Sequence, residues 1–295
     1  MTRVLVTGAG GMLGRDLLAE LRAQPDVTVT AATRSDLDIT DATAVATAVA
    51  GHDVVINTAS WTDVDAAEHH EAVATAVNGT GVAHLARACA ATGARLVQIS
   101  TDYVFPGAAR TPYAEDAPPA PINAYGRSKL VGEHAVVRLL PDAGYVVRTA
   151  WLYGAYGSNF VATVLSLAEQ REHLDVVDDQ QGQPTWSHAL AGQLVRLVGA
   201  ALSGRAAPGV YHGTASGRTT WYGLARSVFA LHGLDPDRVR PITSDRSPRS
   251  APRPAYSVLG HGRWAAAGLP PLPDWHTTLA AAFASAAPPA PWKVA

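Results

Sequence analysis

The sequence contains a single cysteine, Cys89, in 295 residues. No disulfide can form within the chain, which suits a reducing, cytoplasmic setting. Cys89 falls in the mostly apolar stretch 85–91 and reads as a small core residue. A surplus of positive charge is also lacking: 23 Lys and Arg stand against 25 Asp and Glu, for a formal net charge of -2. Such a chain is poorly equipped to neutralise a phosphate backbone, which argues against nucleic acid as a partner. No apolar run reaches the length of a membrane span without Gly, Pro or charge, so a membrane partner is not expected either. The run Val4–Val6 is too short for a signal peptide and leads into glycines. The 11 histidines show no metal-ligand spacing, and His69-His70 beside Glu68 and Glu71 reads as a solvated helix face. There is no internal repeat.

What is present is a folded composition, 47% hydrophobic and 16% charged. The length suffices for one large α/β domain or two intimate lobes. Short β-branched runs predict strands at 4–7, 27–33, 53–57, 94–100 and 145–149. Helical spacing predicts helices at 13–21, 42–49, 72–91 and 123–140. Their alternation implies βαβ units and a parallel sheet. Residues 106–121 are rich in Pro, Gly and Ala and read as a loop. Beyond Trp151 the rhythm loosens: helices are expected at 158–172, 187–203 and 220–231, and strands at 174–177 and 210–213. Residues 241–256 should be extended, and the tail from Ser285 should fray. The expected fold is a Rossmann-type doubly wound parallel sheet with a smaller C-terminal α/β substrate-binding lobe. The cofactor domain would span 1–150, completed by part of 187–213, with 151–295 mainly the substrate lobe.

Thr7-Gly8-Ala9-Gly10-Gly11-Met12-Leu13-Gly14 follows the first strand and opens the first helix. Gly8 permits a tight turn, Gly11 lets the backbone approach a pyrophosphate, and Gly14 allows close helix packing. Met12 and Leu13 head the helix, whose free N–H groups would face the phosphates. At the end of the second strand stands Arg34 rather than an acid. A guanidinium there can pair with the 2′-phosphate of NADPH. Asp36 and Asp38 keep NADH open, and Asp38-Ile39 is placed at the adenine edge, with helix capping by a nearby Asp or Thr as the rival role.

Tyr125 and Lys129 lie four residues apart on a predicted helix, hence on one face. An ammonium beside a phenol favours the phenolate, which makes the tyrosine a better acid–base group. Thr101, at the carboxyl end of a parallel strand, can hydrogen-bond the same substrate oxygen; capping of the following turn is its alternative role.

With these residues the chain resembles the extended short-chain dehydrogenases, and within them the dTDP-4-dehydrorhamnose reductase family. The resemblance rests on the segments Asn57–Glu68, Ser100–Gly107, Tyr125–Lys129, Arg148–Gly154, Ser158–Phe160, Asp179–Thr185 and Arg253–Leu259, in family order over nearly the whole chain. It implies reduction by NADPH of the C4 ketone of a dTDP-6-deoxy-4-ketosugar. Tyr125 would donate the proton, Lys129 would tune Tyr125 and hold the nicotinamide ribose, and Thr101 would polarise the ketone. Ala59, Ser60 and Asn78 would lie near the cofactor, with bracing as the other role for Asn78. Tyr103 and Trp151 would line the sugar site. Asn159, Gln180, Thr185 and Arg253 would take the nucleotide's diphosphate and base. Trp61 departs from the family's usual Tyr. Some members bind Mg²⁺ at a dimer interface through glutamates; Asp16 and His188 fall at two such positions, and a His there disfavours a hard cation. A monomer and a homodimer both stay open. The rivals are a ketoreductase of an antibiotic deoxysugar such as dihydrostreptose, and a non-catalytic nucleotide-binding regulatory subunit. An epimerase or dehydratase is a third; dehydratases usually carry an acid–base carboxylate pair after the threonine, and here only Asp102 is acidic.

Overall fold

Six strands form the central sheet: β1 (Thr2–Thr7), β2 (Val27–Ala32), β3 (Val54–Asn57), β4 (Arg95–Thr101), β5 (Gly144–Thr149) and β6 (Gly209–His212). All neighbours pair in parallel, in the order β6-β5-β4-β3-β1-β2. Every residue of β3 and β5 is buried. That is why Val54–Ile56 and Tyr145–Val147 are continuous apolar runs without polar alternation. The structure, a computed structural model, describes residues 1–285, so the tail expected to fray lies outside the described residues.

Helices cover both faces. On one, Leu13, Leu17 and Leu21 of helix Met12–Arg22 pack with Leu190, Leu194 and Leu197 of helix Ser187–Leu202. On the other, Val45, Val49, Leu85, Cys89 and Val136 form a second apolar cluster. Each such Leu contributes about 1.5–3 kcal/mol through burial. Burial also pushes the Cys89 thiol up to about 12, so it stays protonated and inert. The result is a doubly wound, Rossmann-type fold.

A third cluster builds a smaller lobe from helices Phe160–Gln170, Trp221–Leu231 and Trp275–Ser285, with Leu174–Val177 paired in parallel to Val239–Ile242. The chain does not divide cleanly at residue 150. Helix Ser187–Leu202 and β6 return to the layers of the large sheet.

Two expectations are corrected. The helix expected over 72–91 is three pieces: Glu71–Thr75, a π-helical turn Ala76–Gly81, and Val82–Thr92, capped by Gly93 at φ 77°. The wide turn aims the Asn78 amide inward, and Gly79 admits Val131 of the next helix: a Cβ on Gly79 would lie 2.7 Å from its Cγ1. Such bulges cluster at functional sites. The stretch 241–256 is also less extended than expected, with a 3₁₀ turn at Ser244–Arg246. Helices Gly262–Ala266 and Trp275–Ser285 carried no clear signal, because Ala sits equally well on either helix face.

Candidate active site

After β1 the chain moves outward to β2, then crosses to the other side of β1 for β3. The strand order therefore reverses between β1 and β3, where ligands enter open α/β sheets at the carboxyl ends of the strands. A crevice of about 940 Å³ lies there. Register shapes its floor. Thr7 stands opposite Asn57, and Asn57 opposite Gln98, so Ile99, Ser100 and Thr101 project past the end of β3.

The glycine loop forms one end of the crevice. Gly8 has φ 69°, and a Cβ there would lie 2.4 Å from the Ala59 nitrogen. A Cβ on Gly14 would lie 2.4 Å from the Gly8 carbonyl, so the helix can begin tight against the loop only without one. Gly11 is the N-cap of that helix and offers no side chain to its N–H groups, leaving them open to an anion. Gly11, Met12, Leu13, Arg34, Asp38, Ile39, Ala59 and Ser60 all line the crevice. The acids near Arg34 face their own backbone. Asp36 accepts from the Thr33 amide and hydroxyl at 2.9 and 2.6 Å. Asp38 accepts from the amide and hydroxyl of Thr40 at 2.9 and 2.8 Å. These bonds hold both carboxyls below the usual range. Helix Ala42–Val49 is capped by Asp41.

Thr101, Tyr125 and Lys129 meet on the opposite wall. Helix Ala124–Leu139 carries the last two, and its start is fastened from several sides. Asn123 accepts from the Gly126 amide at 2.7 Å, and Glu68 accepts from the Ala124 amide at 2.8 Å. A Cβ on Gly126 would lie 2.1 Å from the Tyr103 carbonyl oxygen, so this turn seats directly on the Thr101–Tyr103 loop. Asn78 braces the far side. It accepts from Ser60 Oγ and the Trp61 amide, each at 2.9 Å, and donates to Ser128 Oγ at 2.9 Å. It thus ties the Ser60 loop to the helix of Tyr125.

Lys129 is buried and donates to the Ile99 carbonyl at 2.7 Å and to Ser60 Oγ at 3.3 Å. The same carbonyl accepts from Gln98 Nε2, whose Oε1 accepts from Asn57. A buried polar chain therefore runs beneath the crevice to the ammonium. Burial pulls Lys129 down to about 8, opposed by the Glu133 carboxylate. Tyr125 shifts upward. Its enclosure, and then the Asp102 carboxyl, hold the phenol well above its ordinary range, while Thr101 and Ser60 act weakly in the other direction. Desolvation and the neighbouring carboxyl both act upward, so the hydroxyl keeps its proton. Asp102 accepts from Thr101 Oγ1 at 3.0 Å, and burial pushes its carboxyl up to about 7.

The remaining wall is aromatic. Tyr103 meets Tyr125 edge-on at 6.2 Å. Trp151 has φ 46°, an uncommon conformation for a non-glycine residue. Its ring stacks on Trp221 at 3.6 Å and 9°, and a Cβ on Gly182 would lie 2.4 Å from it. Trp221 in turn donates its indole N–H to Gln180 at 3.2 Å. Trp221 was not anticipated, because its partner is 70 positions away and nothing in local spacing marks it. Trp61 lines the crevice and packs with Ala67, Ala74 and Tyr125.

Four anticipated substrate residues do not reach the crevice wall. Asn159 caps helix Phe160–Gln170 and donates to the Gly154 carbonyl. Thr185 is fully buried, bonded to the Gln183 carbonyl and the Ala215 amide. Gln180 supports Trp221 and donates to Ser244. Arg253 pairs with Asp65 at 2.8 Å and donates to the Ala251 carbonyl.

The two positions weighed for Mg²⁺ are engaged within the chain. Ser187 donates to Asp16, and His188 faces Glu20 at 3.6 Å. Among the described residues no cluster of three His, Cys, Asp or Glu could hold a metal. No helix among them is long and apolar enough to cross a membrane.

Comparison with known proteins gives a consistent picture. A family model described as "RmlD substrate binding domain" matches residues 1–287. A Streptomyces griseus protein named dTDP-4-dehydrorhamnose reductase is 55% identical over 95% of this chain and 93% of its own. A Streptomyces niveus protein named dTDP-4-keto-6-deoxy-D-glucose reductase is 53% identical over 95% of this chain and 96% of its own. The crystal structure of a Bacillus anthracis dTDP-4-dehydrorhamnose reductase in complex with NADP superposes with a TM-score of 0.91 at 36% identity, covering 96% of this chain and 99% of that one.

Proposed function

Because the chain belongs to the RmlD substrate binding domain family, we propose that it uses NADPH to reduce the C4 ketone of a dTDP-4-keto-6-deoxy-L-sugar, with dTDP-L-rhamnose as product. One observation carries this reading: Thr101, Tyr125 and Lys129 converge on one wall of a crevice whose far end is the glycine loop and Arg34.

The residues present fit a dinucleotide. The close approach at Gly8 and the uncapped helix start at Gly11 suit a pyrophosphate. Arg34, with the nearby carboxylates turned to their own backbone, suits a 2′-phosphate. When bound there, NADPH supplies the hydride. The Tyr125 hydroxyl, and the Thr101 hydroxyl once its hydrogen turns from Asp102, donate hydrogen bonds to the ketone oxygen and make the ketone more electrophilic. Tyr125, held protonated by its enclosure, gives its proton to the developing alkoxide. Lys129, on a buried polar chain, places positive charge beside the resulting phenolate and favours it. Trp151, Trp221 and Tyr103 wall the sugar site and exclude water. Both proposed reactants are charged metabolites, which supports a cytoplasmic location.

A second reading is another dTDP-4-ketosugar. The Streptomyces niveus relative is named for a D-glucose-derived one, and Trp61 beside Tyr125 can reshape the pocket. A non-catalytic binding subunit would have no need of Thr101, Tyr125 and Lys129 in one place.

The test is NADPH oxidation, followed by nicotinamide absorbance, with dTDP-4-keto-L-rhamnose generated in situ. The wild type turns over. Tyr125→Phe keeps NADPH affinity and loses roughly 10²–10⁴-fold in kcat. Equal turnover by the variant refutes the mechanism.

A further inference from the structure

A second, open cleft of about 450 Å³ is walled by Gly107 to Arg110, by Asp179 and Gln181, by Arg218 and by Ala255-Tyr256. We propose that this cleft takes the diphosphate of the nucleotide sugar between the guanidiniums of Arg110 and Arg218. The inference rests on the ketosugar-reductase reading above.

Two segments wall both spaces, and a third packs on a crevice residue. Thr101, Asp102 and Tyr103 line the crevice, and the same loop continues to Arg110 in the cleft. Trp221 lines the crevice, and Arg218, three residues earlier across the short strand Thr219–Thr220, lines the cleft. Gly182 packs on the crevice residue Trp151, while its neighbour Gln181 lines the cleft. A ligand with its ketone at Tyr125 would leave the crevice along these shared walls.

Charge narrows the choice. A diphosphate needs cations, and guanidinium forks match phosphate oxygens. Lys129 is bonded to Ile99 and Ser60, and Arg253 is paired with Asp65. Arg110 and Arg218 are exposed, and among the described residues neither has a hydrogen-bond or ion-pair partner. The one acid on the cleft wall, Asp179, accepts from the Ser244 amide at 2.8 Å and hydroxyl at 2.6 Å, so it is turned toward the protein. The cleft is also built in advance. The Tyr113 hydroxyl accepts from the Gly107 and Ala109 amides at 3.1 and 3.2 Å and pins the loop that carries Arg110. Tyr256 is 7% exposed, and its hydroxyl has no hydrogen-bond partner, an unmet polar group in the wall.

The experiment is calorimetric titration of the full chain with dTDP, which carries the diphosphate but no ketone, and with thymidine, which carries neither. Each of Arg110→Ala and Arg218→Ala weakens dTDP by about tenfold, and the double variant by roughly a hundredfold. Thymidine and NADPH affinities stay unchanged, as does dTDP affinity in the exposed control Arg240→Ala. In turnover, KM for the ketosugar rises while kcat stays within about twofold. The proposal is overturned if the wild type fails to bind dTDP, or if the double variant keeps wild-type dTDP affinity. Arginine-dependent dTDP binding without turnover of the ketosugar leaves the subsite standing and removes the reductase reading. Turnover with an unmoved KM in the double variant does the reverse.

Discussion

Replacing Glu133 with Gln strikes a buried ion pair that supports the helix carrying Tyr125 and Lys129. Arg148 on β5 donates to both Glu133 oxygens, at 2.7 to 3.2 Å, and the two side chains are 4% and 3% exposed. The other contacts of the guanidinium are weaker: the Glu115 carbonyl and His212 Nε2, each at 3.4 Å, and the face of Phe105 at 4.9 Å. An amide in place of the carboxylate leaves a full charge buried without a counter-charge. Breaking such a pair from one side costs about 3–5 kcal/mol. In a chain of this size that lowers the melting temperature by roughly 6–15 °C. Thermal unfolding followed by circular dichroism measures it. The companion variant Glu133→Met/Arg148→Met removes both charges and should recover most of the loss. A second effect is separable from the first. Glu133 favours the charged form of Lys129; without it Lys129 titrates below about 8, and the alkaline fall of kcat/KM moves to lower pH. A melting shift under about 2 °C would refute the energetic argument, and an unmoved alkaline limb would refute the coupling to Lys129.

In the wild type, Lys129 is charged below about pH 8 and neutral above it, so kcat/KM should fall as pH rises through that value; a flat profile to pH 10 would exclude the ammonium as the active form. Arg34→Ala should weaken NADPH by about tenfold or more and leave NADH nearly unchanged, as read by cofactor KM values; an unaltered preference would remove Arg34 from the 2′-phosphate site. Gly126→Ala places a Cβ 2.1 Å from the Tyr103 carbonyl oxygen, so the helix start must move. Stability should drop by roughly 1–3 kcal/mol, and kcat should fall with it because Tyr125 rides on that turn. Wild-type melting and turnover would show that the contact is easily relieved.

Local rules made a definite part of this molecule legible in the amino-acid order. The glycine loop between strand and helix, the Tyr125 and Lys129 face and the apolar runs of the buried strands rest on periods of two to four residues and on the special backbone of glycine. They specify the Rossmann-type sheet and the crevice wall that carries Tyr125 and Lys129. What tertiary contact decided was which side chains remain available. The guanidinium of Arg253 reads as a free cation until Asp65, 188 residues away, pairs with it. Trp151 holds its unusual backbone against Trp221, which no local pattern marks. The π turn carries the Asn78 amide to partners 17 and 50 residues distant. The proton on Tyr125 follows the same rule: the order of residues sets a phenol and an ammonium on one helix face, but enclosure by distant segments, and then the Asp102 carboxyl, hold the phenol protonated.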